Sequence, residues 1–266
     1  MKPVTIVTGG TFGLGASISI ELAQRGHQVV AFGLKNAQVS STAQGFELLE
    51  AAIQKNALQG QIDILEADVS VAADVQRVVD HTIARYGCIH GLVNNAAIGP
   101  LGTVLDTDEA TFSRILNVNV TGVYLMCKAV IPHMAHRGGG SIVNVGSGAG
   151  WGKPNMAAYS ASKGALFALS TAMAYDHFYD HVRINVALPG GGGIVSGMSV
   201  GRMGGDTALF KSKKVPGTVS GSPLTGEEFA KTIAFLLSDD ARTISGTVID
   251  VGCFSHQGGP VPMKTE

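Results

Sequence analysis

The chain has 266 residues, of which 45% are hydrophobic and 15% are charged. This composition is typical of a globular protein with a sizeable buried core, and it excludes the disordered and fibrous classes. The formal net charge of −1 gives no electrostatic reason to expect nucleic acid or an anionic membrane as a partner. Small molecules and further copies of the chain are the partners we expect.

The amino terminus and the cysteines indicate the compartment. The first apolar run is too short, and too soon interrupted by glycines, to be a signal peptide. No uninterrupted apolar run reaches the length of a membrane span. Cys88, Cys127 and Cys253 are far apart and form no CxxC pair, so we expect neither a disulfide framework nor a metal site. These features predict a cytoplasmic protein in a reducing compartment.

Short apolar runs alternate with longer amphipathic segments along the chain. The runs rich in valine and isoleucine predict strands at 4–7, 28–32, 62–67, 91–93, 141–145, 183–187 and 247–251. The amphipathic segments predict helices at 15–25, 46–56, 72–86, 108–137, 158–179 and 226–237. Pro132 is expected to kink or stop the fourth helix. The alternation predicts an α/β fold, a doubly wound parallel sheet of the Rossmann type with about seven strands and helices on both faces.

No linker or repeat divides the chain, so a single domain over residues 1–266 is predicted. The segment 190–225 interrupts the alternation because it is rich in glycine and long for a connection. Long irregular segments in compact domains are often lids or binding loops, so we expect a substrate lid here. A surface insertion without function is the alternative. The tail from residue 252 onward is expected to be irregular.

A glycine-rich turn follows the first predicted strand and opens the first predicted helix, with the sequence Thr8-Gly9-Gly10-Thr11-Phe12-Gly13-Leu14-Gly15. Glycines permit a tight turn and close approach of the backbone to a pyrophosphate, whose charge the helix N-terminus stabilises. The position between strand and helix favours dinucleotide binding over a purely structural turn. A P-loop is excluded because no Gly-Lys-Ser/Thr follows.

The spacing TGxxxGxG in this turn resembles the short-chain dehydrogenase/reductase family, and four further motifs follow in that family's order. They are Asn94-Asn95-Ala96-Ala97 for NNAG, Asn119-Val120-Thr121-Gly122 for NxxG, Tyr159-Ser160-Ala161-Ser162-Lys163 for YxxxK, and Pro189-Gly190 for PG. The resemblance covers about residues 4 to 252. It implies an NAD(P)-dependent enzyme that transfers hydride between the cofactor and a carbonyl or secondary alcohol.

Tyr159 and Lys163 are four residues apart on a predicted helix, so their side chains share one face. Lowering the pKa of a tyrosine by about 3 units, to suit proton transfer near neutral pH, needs about 4 kcal/mol. A lysine charge about 4 Å away supplies about that much at an effective dielectric constant near 20. Lys163 is therefore expected to supply most of the shift. An ordinary surface pair is the alternative.

The resemblance assigns the catalytic roles. It implies that Tyr159 exchanges a proton with the substrate oxygen, and that Lys163 lowers the pKa of Tyr159 and holds the ribose hydroxyls. It also implies that Ser147 donates a hydrogen bond to that oxygen and that Asn119 orders a proton relay through water to Lys163. Ser147 precedes the tyrosine by twelve residues where the family usually has thirteen, which a shorter loop explains. The alternative interpretation of Ser147 is a turn serine without function. Ser141 is the residue that could take the catalytic role in its place.

The resemblance places the dinucleotide against residues from four of these motifs, all except NxxG, and from the ends of the second and third strands. The expected contacts are Gly9, Thr11, Phe12, Gly13, Leu14, Gly15, Gly33, Leu34, Lys35, Asp68, Val69, Asn95, Ala96, Ala97, Tyr159, Lys163, Pro189, Gly190 and Gly192. No carboxylate follows the second strand to bind the ribose hydroxyls, and Lys35 could meet a 2′-phosphate. NADP(H) is therefore favoured, with NAD(H) possible. Lys35 could also be a solvated loop lysine, and Asp68 could cap the next helix.

The expected substrate is a small ketone or alcohol that contacts Ser147, Trp151, Tyr159 and Met198. Trp151 could equally be a buried packing residue. The threonine that normally follows the PG motif is missing, and Ser196 is the nearest hydroxyl. The predicted function is that of a carbonyl reductase or secondary-alcohol dehydrogenase, a homotetramer or dimer as the resemblance implies. The alternative is a dinucleotide-binding regulatory or scaffold protein without turnover.

Overall fold

The structure is a computed structural model that describes residues 2–35, 45–190, 192, 194–202, 204, 206–212 and 217–252. Its strands are β1 Val4–Thr8, β2 Gln28–Gly33, β3 Ile62–Glu66, β4 Gly91–Asn94, β5 Gly140–Val145, β6 Val182–Leu188 and β7 Val248–Asp250. Its helices are α1 Gly13–Gln24, α2 Gly45–Lys55, α3 Ala72–Tyr86, α4 Glu109–Leu116, α5 Gly122–His136, α6 Ala157–Asp176, α7 Gly197–Gly201, α8 Thr207–Ser212 and α9 Gly226–Leu237. Cys253 and the tail after it lie outside the described residues.

The strands form one parallel sheet in the order β3-β2-β1-β4-β5-β6-β7. The chain crosses from one half of the sheet to the other between β3 and β4, so β1 and β4 are neighbours at the switch point. Ligands of such sheets bind beyond the carboxyl ends of the strands at this point, because the flanking loops diverge there.

Helices cover both faces of the sheet. One face packs against α3, α5 and α6 through side chains such as Val78, Met126 and Leu166, all almost fully buried. The other face packs against α1, α2 and α9 through side chains such as Ile18, Leu49 and Phe229. The predicted doubly wound sheet of seven strands is thereby confirmed.

The predicted helix 108–137 is continuous from Glu109 to His136 but contains a π-helical turn, Asn117–Thr121, between α4 and α5. Pro132 does not stop the helix, which continues to His136. The proline is exposed, so water can bind the carbonyl that its ring leaves unpaired. By length and composition alone this helix could cross a membrane, but its apolar side chains pack into the core described above.

The segment predicted as an irregular lid contains two short helices, α7 and α8. Helix α7 begins with a capping box, in which the Ser196 hydroxyl accepts from the Ser199 backbone and the Ser199 hydroxyl accepts from Ser196. This local bonding explains why a glycine-rich segment forms a helix there.

Candidate active site

The glycine-rich turn joins β1 to α1 at the switch point of the sheet. Gly9 and Gly13 have φ angles of +60° and +54°, a conformation that side chains other than glycine rarely adopt. A Cβ on Gly15 would lie 2.0 Å from the carbonyl oxygen of Gly9, so this position requires glycine. Phe12, the N-cap of α1, supplies no side-chain hydrogen bond to the helix end. The helix N-terminus is thus suited to an anion.

Asn95 binds this turn to the loop after β4. Its side-chain amide donates to the carbonyls of Thr8 and Gly9, both at 3.1 Å. The Thr8 hydroxyl accepts in return from the backbone amides of Asn95, at 3.0 Å, and Ala96, at 2.9 Å. Ala97 follows in the same loop. These bonds hold the two loops together at the point where a dinucleotide would cross the sheet.

The residues after β2 and β3 lie along one side of the same edge. A Cβ on Gly33 would lie 2.7 Å from the Thr11 hydroxyl oxygen, so the glycine lets the turn pack against the end of β2. Leu34 and Lys35 are exposed, and the Lys35 ammonium lies 5.8 Å from the centroid of the Phe46 ring. Lys35 is therefore accessible to a ligand.

Asp68 and Val69 differ from each other in what they do. The Asp68 carboxylate accepts from the backbone amide and the hydroxyl of Ser70, at 2.8 and 2.6 Å, and so forms the turn before α3. It does not cap α3, whose N-cap is Val71 without a side-chain bond. Val69 is buried against Gly122, where a Cβ would lie 2.9 Å from it, which explains the glycine of the NxxG motif.

The Pro189-Gly190 motif follows β6 and packs tightly against the end of β7. A Cβ on Gly252 would lie 2.1 Å from the Gly190 Cα, so position 252 needs the smallest residue. Gly192 is exposed beyond them. Ser196, the nearest hydroxyl in place of the family's threonine, is engaged in the cap of α7. Nevertheless its backbone lies beside Gly13, whose Cβ would be 3.1 Å from the Ser196 Cα.

Helix α6 brings Tyr159 and Lys163 to the carboxyl end of β5. Both side chains are buried, with 7% and 3% of their surface exposed. The Lys163 ammonium donates to the Val145 carbonyl at 2.8 Å and lies 5.8 Å from the centroid of the Tyr159 ring. The hydroxyl of Ser147, which begins a 3₁₀ turn after β5, hydrogen-bonds Tyr159. Ser141 lies at the opposite end of β5 and donates to Leu236.

Sequence comparison agrees with this geometry. Residues 3–200 match the short chain dehydrogenase family. The chain belongs to the short-chain dehydrogenase family. The 2-(S)-hydroxypropyl-CoM dehydrogenase 3 of Xanthobacter autotrophicus is 35% identical over 93% of this chain and 94% of its own length.

Two solved structures resemble the dehydrogenase over nearly its whole length. Levodione reductase superposes with a TM-score of 0.85 and 28% identity, covering 97% of this chain and 98% of that one. The 3-ketoacyl-(acyl-carrier-protein) reductase of Brucella melitensis, complexed with NADH, gives a TM-score of 0.79 and 28% identity, covering 96% and 98%. These comparisons confirm the prediction of a nicotinamide-dependent oxidoreductase. They favour it over the alternative, a scaffold protein without turnover.

Burial and the neighbouring polar groups have opposite effects on the pKa of Tyr159. Burial raises the pKa of Tyr159 above its ordinary value, while the hydrogen bond from Ser147 and the charge of Arg202 lower it. Burial also lowers the pKa of Lys163 to about 8. The expectation that Lys163 supplies most of a decrease in this pKa is wrong, because the pKa is raised and the groups that lower it are Ser147 and Arg202. The Lys163 ammonium donates to the Val145 carbonyl instead.

Asn119 is fully buried in the π-helical turn of the dehydrogenase. Its side-chain oxygen accepts from the backbone amide of Ile98 at 2.9 Å, and its amide donates to the Ile98 carbonyl at 2.8 Å and to the Ser162 hydroxyl at 2.9 Å. The side chain therefore fixes the loop after β4 to α6. The predicted relay through water to Lys163 would have to use another part of this residue.

Two of the residues predicted to contact substrate are Trp151, which precedes Tyr159 in the chain, and Met198, which follows it. Trp151 is 48% exposed and its ring centroid lies 4.4 Å from that of Phe167, so it is not a buried packing residue. Met198 lies on α7 and is partly buried. In the part of the chain that the structure describes, no group of three metal-ligating side chains comes together.

Sequence reasoning missed Arg202. It follows α7, and its guanidinium carbon lies 5.2 Å from the centroid of the Tyr159 ring. Its Nε and Nη2 atoms donate to the Gly99 carbonyl at 3.2 and 2.9 Å. One signal could have found it, since Arg202 is the single arginine within the predicted lid.

Proposed function

We propose that this dehydrogenase interconverts a small ketone and a secondary alcohol with Tyr159 as the acid–base group. The observation that carries the proposal is the buried Tyr159 hydroxyl beside Ser147, at the carboxyl end of β5 and next to the switch point of the sheet. A phenol in this position is presented to the cleft in which the fold binds its ligand.

The residues around the switch point fit a nicotinamide dinucleotide. The uncapped N-terminus of α1 and the glycines at 9, 13 and 15 would hold the pyrophosphate, and the loop that Asn95 fixes would border the adjoining ribose. When bound, the cofactor supplies or accepts the hydride. Lys163, close to Tyr159, would hold the ribose hydroxyls, as the family resemblance implies.

Tyr159 moves the proton. In the direction of reduction its hydroxyl donates a proton to the carbonyl oxygen of the substrate, and in the direction of oxidation the phenolate takes the proton from the alcohol. Ser147 donates a hydrogen bond that stabilises negative charge on the oxygen atoms next to it. Asn119 acts as a positioning residue because it fixes the loop that contains Ile98 against α6. Trp151 and Met198 are the side chains that we propose at the substrate.

NADP(H) is the proposed cofactor, with NAD(H) as the alternative. Support comes from the end of β2, where Gly33 and Leu34 provide no carboxylate for the ribose hydroxyls and Lys35 is exposed to a 2′-phosphate. NAD(H) stays the alternative because the Brucella reductase was complexed with NADH.

The proposed assembly is a homo-oligomer, either a tetramer or a dimer. The proposed location is the cytoplasm. Large apolar side chains are exposed on and beside α4, α5 and α6, including Leu105, Phe112, Tyr124 and Tyr175. These side chains support the proposal because interfaces between subunits commonly bury large apolar side chains. Light scattering of the purified protein measures the assembly.

The test of the function is absorbance at the reduced-nicotinamide band. The protein is mixed with NADPH or NADH and a panel of ketones, and with the oxidised cofactors and the matching alcohols. Turnover with at least one pair, faster with NADPH than with NADH, is the expected result. The absence of turnover throughout the panel, in protein shown to bind the cofactor, would contradict the proposal.

A further inference from the structure

A cationic side chain stands beside the proton donor without belonging to any motif of the family. Arg202 is partly buried between the Gly99 carbonyl and the face of the Tyr159 ring. The contact depends on Gly99, because a Cβ there would lie 2.6 Å from Tyr159 Cδ2 and 2.9 Å from Arg202 Nη2. The loop after β4 thus leaves space for the guanidinium at this place.

The guanidinium has more donors than the described residues use. Of its five N–H groups, those on Nε and Nη2 donate to the single Gly99 oxygen. Within the described residues, the ion pairs of arginines with carboxylates involve Arg25, Arg77 and Arg85, and none reaches Arg202. Burial lowers the pKa of Arg202, and the neighbouring Tyr159 opposes this.

A partly buried cation without a carboxylate partner is costly to maintain, since it has lost part of its hydration and gains no ion pair in return. Stacking on an aromatic face offsets some of that cost but leaves the edge of the guanidinium unbound. The fork of N–H groups on that edge matches the oxygens of a carboxylate, sulfonate or phosphate. The position next to Tyr159 places such an anion at the reacting end of the cleft.

We propose that the substrate of this dehydrogenase is a ketone or secondary alcohol that bears an anionic group, and that Arg202 binds this group beside the Tyr159 hydroxyl. This inference rests on the proposed function. It adds the class of substrate, a small organic anion such as a keto acid. The arginine is a specificity-determining residue, distinct from the acid–base residues on α6.

The test compares matched pairs of substrates that differ in charge: acetoacetate with acetoacetamide, levulinate with its amide, and acetonylphosphonate with its diethyl ester. The wild-type protein is expected to show kcat/KM at least about tenfold higher for the anion of a pair, the worth of a charge-assisted hydrogen bond. Arg202→Gln removes this preference, and Arg202→Lys keeps part of it because the charge remains.

Arg25→Gln is the control, since Arg25 pairs with Glu21 at the far end of α1 and should leave the ratio unchanged. Equal losses for the charged and neutral members in Arg202→Gln would overturn the proposal, because the arginine would then act on Tyr159. Weaker cofactor binding in that variant, with the ratio kept, would also overturn it. A wild-type protein that prefers the neutral member of each pair would likewise overturn the proposal.

A binding measurement separates this inference from the proposed function. Calorimetry of the protein loaded with oxidised cofactor measures the affinity for butyrate and butyramide, which lack a ketone and do not react. Tighter binding of butyrate, lost in Arg202→Gln, supports the anion site even if no ketone turns over. Equal binding of the two, in an enzyme that reduces neutral ketones, refutes the anion site and leaves the proposed function standing.

Discussion

At the scale of single residues, the site consists of Tyr159 and the three side chains next to it, those of Ser147, Lys163 and Arg202. Burial raises the pKa of Tyr159, and Ser147 and Arg202 oppose that rise. Lys163 is buried almost completely and its ammonium donates to a backbone carbonyl. A lysine in such surroundings is held in the charged form less firmly than one in water, which makes it sensitive to pH in a range where enzymes are assayed.

The first prediction concerns that sensitivity. Because the pKa of Lys163 in the folded protein is about 8, its charge is present below this pH and is lost as the pH rises through it. Cofactor affinity, measured by the fluorescence of bound reduced nicotinamide, should weaken about fivefold above that pH, as a charge-assisted hydrogen bond becomes a neutral one. Lys163→Met should bind weakly at every pH. An affinity in the wild type that is flat across this range would contradict the role of the charge.

At the scale of elements, the helix from Glu109 to His136 shows what the sequence could and could not predict. Its apolar pattern predicts its length, but the π-helical turn at Asn117–Thr121 has no local signature. It depends on contacts made far away in the chain, with Gly122 against Val69 and Asn119 against Ile98. Such tertiary constraints fix the register of the helix and are invisible to periodicity.

The second prediction is that Asn119→Ala lowers the free energy of unfolding by about 1–3 kcal/mol, because the partly buried amide and carbonyl of Ile98 lose their partner. Asn117→Ala is the matched control, since Asn117 is exposed in the same turn. Denaturant unfolding of both variants measures the difference. Equal stabilities would show that the bonds of Asn119 do not hold the loop.

The glycine turn and the segment 190–225 show what the local sequence can and cannot predict. The turn Thr8–Gly15 could be placed because strand, glycines and helix follow one another locally, and only glycine fits at positions 9, 13 and 15. The segment 190–225, predicted as a lid, contains no such motif, so the path that brings Arg202 over Tyr159 could not be predicted. The same holds for Ser196, whose hydroxyl caps α7.

At the scale of the whole molecule, different groups lie at the two ends of the parallel strands. The site lies at the carboxyl ends, whereas two partly buried histidines lie at the amino ends. His27 hydrogen-bonds the Thr5 hydroxyl at 2.9 Å, and the Nδ1 of His90 accepts from the backbone amide of Val4 at 3.0 Å. That second bond requires a neutral His90 ring, since a protonated one has no acceptor.

The third prediction follows from these histidines. Burial is the largest cause that lowers the pKa of His27 from 6.5 to about 4, and the neighbouring His90 and Arg25 disfavour its protonation further. The unfolded chain takes up this proton below about pH 6.5 and the folded protein does so only near 4, so stability falls as the pH drops through this window. We expect a loss of about 1–2 kcal/mol, reduced from the full value because the ring is partly solvated.

Denaturant unfolding at several pH values measures this loss. His27→Gln should flatten the dependence between those two pKa values, whereas His136→Gln, which changes an exposed histidine at the end of α5, should not. A wild-type protein equally stable at both ends of the window would show that His27 is not held neutral by the fold.

The central claim is that the Tyr159 hydroxyl transfers the proton, and Tyr159→Phe tests it most directly. Turnover of the best ketone and the affinity for reduced cofactor are measured on the same preparation of the variant. We predict a decrease in kcat of at least about 10²-fold, the usual worth of a general acid, with cofactor affinity within about twofold of the wild type. A variant that binds cofactor normally and keeps the kcat of the wild type would contradict the claim.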